Sequence, residues 1–407
     1  MDQPKTVAID ARKIVAKIEE QNLKRWWIAQ AIRVDARTLR RWLSGEVKKV
    51  QQENLELLAQ ALGCPPDELI VRSAADVVPS NNQLNLTADL IDHEGLVYDI
   101  FAEGKWSLIE NILKSIIHFS MPKIALAKLY TNLSLLSWVQ YKLDESEAYA
   151  QKALEIGHKA SALEIINRAN VLLSLKKLFH SELEVSQNLL GVVTRKSLDS
   201  ETLSLAYINL GISRWFYGAY GEAEELILTS FRFISDLKEG RTKAMLDNTA
   251  HAVLANIYFD DKRFQKSRES ALTSLKLAQN SGYRRGIGLA HIRLAELKAL
   301  QNKTVDAVQE YEKGMSFISP SEILLLVYES GSAIYRLHGD LDQAEKIARH
   351  ALSQSQSYTG EGTFYVQLAQ LEKARERHDK VKEYLAMAKR SFRKSGCLLR
   401  LESIQDN

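Results

Sequence analysis

Proline and glycine are scarce in this chain, 6 and 19 of 407 residues, so long stretches hold neither the residue that breaks a helix nor the one that loosens it. No segment sustains the apolar-polar alternation of a half-buried strand. The expected class is therefore all-α. Cysteine is nearly absent. Cys64 and Cys397 lie far apart and match neither a disulfide framework nor metal-ligand spacing, which predicts a reducing, cytoplasmic setting. No run approaches the ~20 apolar residues of a membrane-spanning helix, and the first residues lack the apolar core of a signal peptide, so no membrane partner is expected. The motifs of common enzymes are missing too: no Gly-rich phosphate loop, no HExxH, no paired cysteines and no Gly-x-Ser-x-Gly elbow. The histidines are scattered through helical stretches. We expect no enzyme, no cofactor and no metal.

What is present is a surplus of helix formers, with Leu, Ala, Glu, Lys and Gln dominating long segments. A length of 407 residues exceeds what one core fills, which predicts several domains or an elongated repeat architecture. The formal net charge is only +3 but is unevenly spread. Between Lys24 and Lys49 eight basic side chains face only Asp35 and Glu46, so the positive excess sits in one small N-terminal region.

That region reads as two short helices joined by a tight turn. Residues 8–20 form a first amphipathic helix through Ile9, Ile14, Val15 and Ile18. In the next helix Ile28, Ala29 and Ile32 make one apolar face; Arg33 and Val34 interrupt it, and Asp35 suits the N-cap of the helix that follows. There Leu39 and Trp42 point inward and leave Arg37, Arg40 and Arg41 for solvent. A second helix that is basic outside fits the major groove, where guanidinium forks bond guanine edges or phosphates. Trp26 and Trp27 are adjacent, so one is expected in the small core and the other at the surface, docked against the second domain.

The segment Leu23–Gly45 resembles the Cro/CI-type helix-turn-helix of the XRE family. Leu23, Ile28, Ala29, Ile32, Val34, Thr38, Leu39, Arg41, Trp42 and Gly45 fall on its pattern, and Glu53–Leu69, with the Leu62–Gly63 pair, resembles the family's fourth and fifth helices. The resemblance implies a five-helix DNA-binding domain over residues 1–72. Its candidate contacts to a double-stranded operator are Lys24, Arg25, Arg33, Arg37, Thr38, Arg40, Arg41, Lys48 and Lys49. Two positions depart from the pattern. Arg33 replaces the turn glycine, which demands either a positive φ or an altered turn, and Arg25 replaces the usual glutamine.

Ser73–Asn85 concentrates Ser and Asn with a proline and marks a linker, 73–86. Beyond it, over 87–407, the chain repeats. Ala206–Ser230 carries Leu210, Gly211, Gly218, Tyr220 and Ala223 at offsets that resemble a tetratricopeptide repeat (TPR). Leu96, Leu133, Leu210, Leu254, Leu294, Gly331 and Leu368 fill equivalent first-helix positions, with one degenerate unit around Ala169–Leu190. Small residues recur on the second helices: Ser146 and Ala153, Ala223 and Ser230, Ser267 and Ser274, Ala307 and Gly314, Ala344 and Ala351. About eight helix pairs are expected to stack into a right-handed TPR-like solenoid with a concave wall.

On that wall the register places Asn132, Asn209 and Arg293 at one position of their units, with Asn256 three residues further along. An asparagine ladder both donates to and accepts from a peptide backbone, and Arg293, with Arg284 and Arg285 nearby, suits an acidic group. These are the candidate ligand contacts. The cluster Trp215, Phe216, Tyr217 and Tyr220 reads as inter-repeat core, and Leu398, Leu399 and Leu401 as candidates for a dimer surface. An XRE-type head on a TPR body resembles the RRNPP peptide-sensing quorum regulators. The resemblance implies a homodimeric transcription regulator whose array binds a short signalling peptide and controls DNA binding. The competing reading is a regulator whose array is a scaffold for a protein partner.

Overall fold

The computed structural model describes residues 6–21, 23–70, 104–117, 121–179, 182–318, 325–355, 357–402 and 404. They fall into two compact units, one holding the described residues up to Ile70 and the other those from Gly104 on. The expected linker, Ser73–Asn85, and the first-helix position Leu96 lie outside the described residues.

The first unit contains α1 (Ala11–Glu20), α2 (Arg25–Ala31), α3 (Ala36–Leu43) and α4 (Gln52–Ala61). The fifth expected helix is a single 3-10 turn, Pro66–Glu68. Helix α1 starts later than its apolar spacing predicts because the Asp10 carboxylate caps it, accepting from the Arg12 N–H at 3.0 Å. The residues before it pair instead. Strand β1 (Thr6–Ala8) runs antiparallel to β2 (Lys49–Gln51), with Val7 opposite Val50. This corrects the expectation of no strand, since three residues are too few to display an alternation. Ile14, Ile28, Ile32, Leu39, Trp42, Leu58 and Leu62 form the core of the unit.

In the second unit α5 (Trp106–Ser115) precedes a series of helical hairpins. These are α6 (Lys123–Val139) with α7 (Leu143–Lys159), α8 (Leu163–Phe179) with α9 (Leu183–Lys196), and α10 (Ser200–Phe216) with α11 (Tyr220–Ser235). Then come α12 (Arg241–Asp260) with α13 (Phe264–Ser281), α14 (Arg284–Leu300) with α15 (Thr304–Met315), α16 (Leu325–His338) with α17 (Leu341–Gln354), and α18 (Tyr358–Ala374) with α19 (His378–Ser395). A short helix, α20 (Leu398–Glu402), follows.

One local device marks six of the seven hairpins, the turn between α8 and α9 lying outside the described residues. A left-handed residue sits at Tyr141, Gly218, Lys262, Asn302, Gly339 and Glu376, each eight residues after Leu133, Leu210, Leu254, Leu294, Gly331 and Leu368 respectively. A β-carbon in this region costs about 1–2 kcal/mol. Lys262, at φ 58° and exposed, is therefore strained for its turn. Lys262→Gly is expected to raise stability by about 1 kcal/mol, read as a higher thermal midpoint; a lower midpoint would show that its side chain matters more than the strain.

The small residues on the second helices are buried and let the paired backbones approach. A second mark is a serine bonded to the carbonyl across the pair at a fixed offset. Ser134 Oγ donates to Ser146 O (2.8 Å), Ser267 Oγ to Ala255 O (2.7 Å) and Ser332 Oγ to Ala344 O (3.1 Å). Ser186 Oγ donates to Ser174 O at 3.0 Å between α8 and α9, so the degenerate unit keeps the same packing despite its weak sequence pattern. At the Gly211 position even a methyl is refused, since its β-carbon would lie 2.9 Å from Ile227 Cγ1.

Candidate nucleic-acid interface and ligand cavity

In the first unit, of the two outcomes open to it, Arg33 takes the positive φ, 58°, at the turn between α2 and α3. Asp35 then caps α3. Its carboxylate accepts from the Thr38 N–H at 2.8 Å and from the Thr38 hydroxyl at 2.8 Å. Leu39 and Trp42 are buried, which turns Arg37, Arg40 and Arg41 outward. Among the described residues only Arg41 of this basic set is ion-paired, with Glu46 (Nε–Oε2 3.5 Å). Lys24 and Arg25 are exposed at the start of α2. Lys48 and Lys49 are exposed too, held by the strand pairing and by the Ile9 N–H bonded to Lys48 O at 3.1 Å. Thr38 is half-buried with its hydroxyl turned onto the cap. Both indoles of the Trp26–Trp27 pair are surface groups, 66% and 42% exposed, so neither joins the core as expected; Ile28 and Ala29 already fill that face of α2.

The bonds from the Thr38 N–H and hydroxyl favour the charged form of Asp35 and hold its pKa below the ordinary aspartate value. A lowered carboxylate pKa gives stability that is present above the ordinary aspartate range and is lost as pH falls through the lowered value. Asp35→Ala is expected to destabilise the recognition helix at neutral pH and to flatten the acid limb of its unfolding curve, followed by circular dichroism. An unchanged acid limb would show that the cap contributes nothing.

In the second unit the first helices of the hairpins turn one stripe inward, and the stripe encloses a cavity of about 370 Å³. Volumes of this order hold small molecules and short peptide segments. The lining is mainly apolar, with Leu135, Trp138, Leu205, Ile212, Trp215 and Phe364 prominent. Trp215 and Phe216, expected in the inter-repeat core, belong to that core and also line the cavity. The Trp215 Nε1–H is fixed by Asp260 Oδ2 at 2.8 Å.

The polar members of the wall are few and placed. Asn209 is 6% exposed, lines the cavity, and its carboxamide has no hydrogen bond among the described residues. Asn256 also lines it, but its Oδ1 accepts from Arg293 Nε (3.0 Å) and Nη2 (2.7 Å), which leaves its N–H groups for a ligand. Arg293 lies behind, not on the wall of the large cavity. It is buried, stacked 4.2 Å over the Phe259 ring, and its Nη1 is 2.6 Å from Glu296 Oε2. Burial pushes the Glu296 carboxyl up to about 7 against the opposing pull of Arg293. Arg293 therefore orients Asn256. Asn132 is half-buried on α6 and lines neither this cavity nor the smaller one behind Asn256. Arg284 points away, donating to Ser316 O at 3.1 Å, whereas Arg285 lines the cavity 5.4 Å over the Trp138 ring.

Three wall features escaped the sequence reading. Arg168 Nη2 meets Glu201 Oε1 at 2.9 Å, Glu329 faces Arg400, and Asn248 donates to Ser274 O (2.7 Å) and Oγ (2.8 Å) across its hairpin. The signal that finds Glu201 and Arg285 is the inward stripe: Glu201, Met245, Arg285 and Thr359 each stand seventeen residues before the left-handed turn residue of their hairpin. Leu401, a candidate for a dimer surface, is instead buried with Ala388 and Phe392, and the Leu398 and Leu399 side chains lie outside the described residues. Among the described residues no helix is long and apolar enough to cross a membrane.

A family model described as Helix-turn-helix matches residues 17–69. No curated protein matches the chain. Among solved structures, the apo form of the quorum sensor NprR from B. thuringiensis is 15% identical over 94% of this chain and 99% of that chain, with a TM-score of 0.47. A Rap protein complexed with competence and sporulation factor is 15% identical over 95% of this chain and 100% of that one, TM-score 0.44. PlcR from Bacillus thuringiensis, in complex with a peptide and DNA, is 11% identical over 66% and 95%, TM-score 0.38. The N-terminal unit of the chain thus holds a helix-turn-helix domain, and the described residues from Gly104 on form TPR-like helical hairpins.

Proposed function

We propose that the chain is a DNA-binding transcription regulator whose TPR-like array receives a short signalling peptide and, in a homodimer, uses it to control operator binding. The DNA reading is supported by α3, whose exposed Arg37 and Arg40 stand on a capped, well-packed helix. Lys24, Arg25, Arg33, Arg41, Lys48 and Lys49 supply the phosphate-facing charge around it. The ligand reading is carried by one observation: a mainly apolar, walled cavity with the Asn209 carboxamide unbonded inside it and the Asn256 amide oriented by Arg293. Both amides keep donor or acceptor groups open to the cavity, where a ligand's backbone can pair with them. A concave, walled cavity favours a small ligand over the scaffold reading, which calls for a broad flat surface. Two heads are needed because one buries too little surface for tight, specific binding, so the operator is expected to be a pseudo-palindrome.

Native mass spectrometry of protein purified from its own cells tests both parts together. The expected spectrum is a dimer carrying the added mass of one short peptide per chain. A bare monomer, or a dimer bound only to another folded protein, would overturn the peptide reading.

A further inference from the structure

Helix α19 ends at Gly396, whose φ of 71° turns the chain back toward the cavity. The next residues cross to it. Cys397 and Arg400 are part of the wall, while Leu401 and Ile404 are seated on Ala388 and Phe392 beside Tyr365 and Val366. The Arg400 guanidinium donates to Thr363 of α18 and lies 3.8 Å from Glu329 Oε1 of α16. Burial opposes its charge and also pushes the Glu329 carboxyl up; the attraction between Arg400 and the carboxyls of Glu329 and of Asp260, at the end of α12, works against burial. The segment therefore ties the last hairpin to the one before it, and it is anchored inside by one basic side chain.

We propose that residues 397–402 are a strap over the ligand cavity, latched by Arg400 on Glu329, and that the ligand is a short apolar peptide whose own basic side chain displaces Arg400. This rests on the cavity being a ligand site. The strap supplies the chemistry: a basic residue within an apolar sequence is what Glu329 and Asp260 accept from the chain itself, and a competitor must offer the same. A tethered segment competes at an effective concentration of about millimolar, so the latch sets a threshold below which peptides without the cation do not bind.

Cys397 reports on the strap directly, because its thiol is 2% exposed when the strap is closed. In a Cys64→Ser background its labelling by dithiobis-nitrobenzoate should rise about tenfold or more in Arg400→Ala, with a shallow urea dependence that marks local opening. Arg400→Glu combined with Glu329→Arg should restore slow labelling. The probe is the capped peptide Ser-Leu-Leu-Arg-Leu-Glu-Ser-Ile, which copies residues 397–404 with serine for the cysteine. It should speed Cys397 labelling in the otherwise unaltered chain and bind Arg400→Ala about tenfold more tightly than that chain, whereas its Arg-to-Ala version should do neither. Labelling that is unchanged in Arg400→Ala, or that occurs only with global unfolding, would overturn the strap. Equal binding of the two peptides would overturn the ligand chemistry. Labelling needs no ligand, and the native mass spectrum needs no strap, so failure of this inference and failure of the peptide reading are separable.

Discussion

Replacing Arg37 and Arg40 together by alanine should lower affinity for a duplex selected from a random pool by about a hundredfold or more at fixed salt. Each arginine that reaches a base edge contributes about 1–3 kcal/mol, so two lost contacts exceed what the remaining lysines can mask. The sites differ in what they report. If α3 reads bases, the double variant also relaxes sequence preference. If it touches only phosphates, affinity falls equally on all duplexes and the slope of log K against log salt drops by about 2. Both residues are exposed on the face opposite Leu39 and Trp42, so folding should be unaffected. Fluorescence anisotropy across a salt series measures all of these quantities. Unchanged affinity would remove α3 from the interface.

Gly314→Val should be the most destabilising single change considered in the array. Its β-carbon would stand 2.8 Å from the Gly288 carbonyl oxygen and 2.8 Å from Ile292 Cγ1, and backbone cannot step aside as a side-chain tip can. Gly314 is the penultimate residue of α15, where valine gains at most about 0.4 kcal/mol of helix propensity over glycine. Overpacking at this site, about 3 kcal/mol, outweighs that gain. Gly221 is the control. It lies in the first turn of α11 with nothing within 4 Å, so Gly221→Ala should be neutral or stabilising. Urea unfolding of both variants decides the matter; a stable Gly314→Val would mean that α14 and α15 are not in backbone contact.

The contrast between these glycines shows what the sequence makes legible. Packing inside a hairpin is periodic, so the leucines, or Gly331 in one unit, eight residues before the turn and the small residues after it reveal the repeat. The recognition helix is legible for the same reason, since capping by Asp35 and burial of Leu39 and Trp42 are local. Contacts between hairpins are not. Arg293 has a ligand-like position in its own repeat, but its partner Asn256 is 37 residues away, and only their meeting shows that Arg293 orients rather than binds. Nothing in the sequence sets Leu205 and Ile212 apart, because an apolar cavity wall and an apolar core have the same composition. Arg400 was illegible as a wall residue, since a short helix beyond the last hairpin has no register to place it. The pairing of Val7 with Val50 was hidden by brevity.

The central claim is that what fills the cavity governs what the head does to DNA. Leu205→Trp fills the cavity without any knowledge of the ligand, because Leu205 lines it and an indole extends into the open space. The decisive measurement is the affinity of the selected duplex for this variant and for the unaltered chain, after confirming that the variant's thermal midpoint has not fallen. Coupling between cavity and head predicts a shift of about 5- to 150-fold in either direction. Identical affinities from a folded, cavity-filled variant would contradict it.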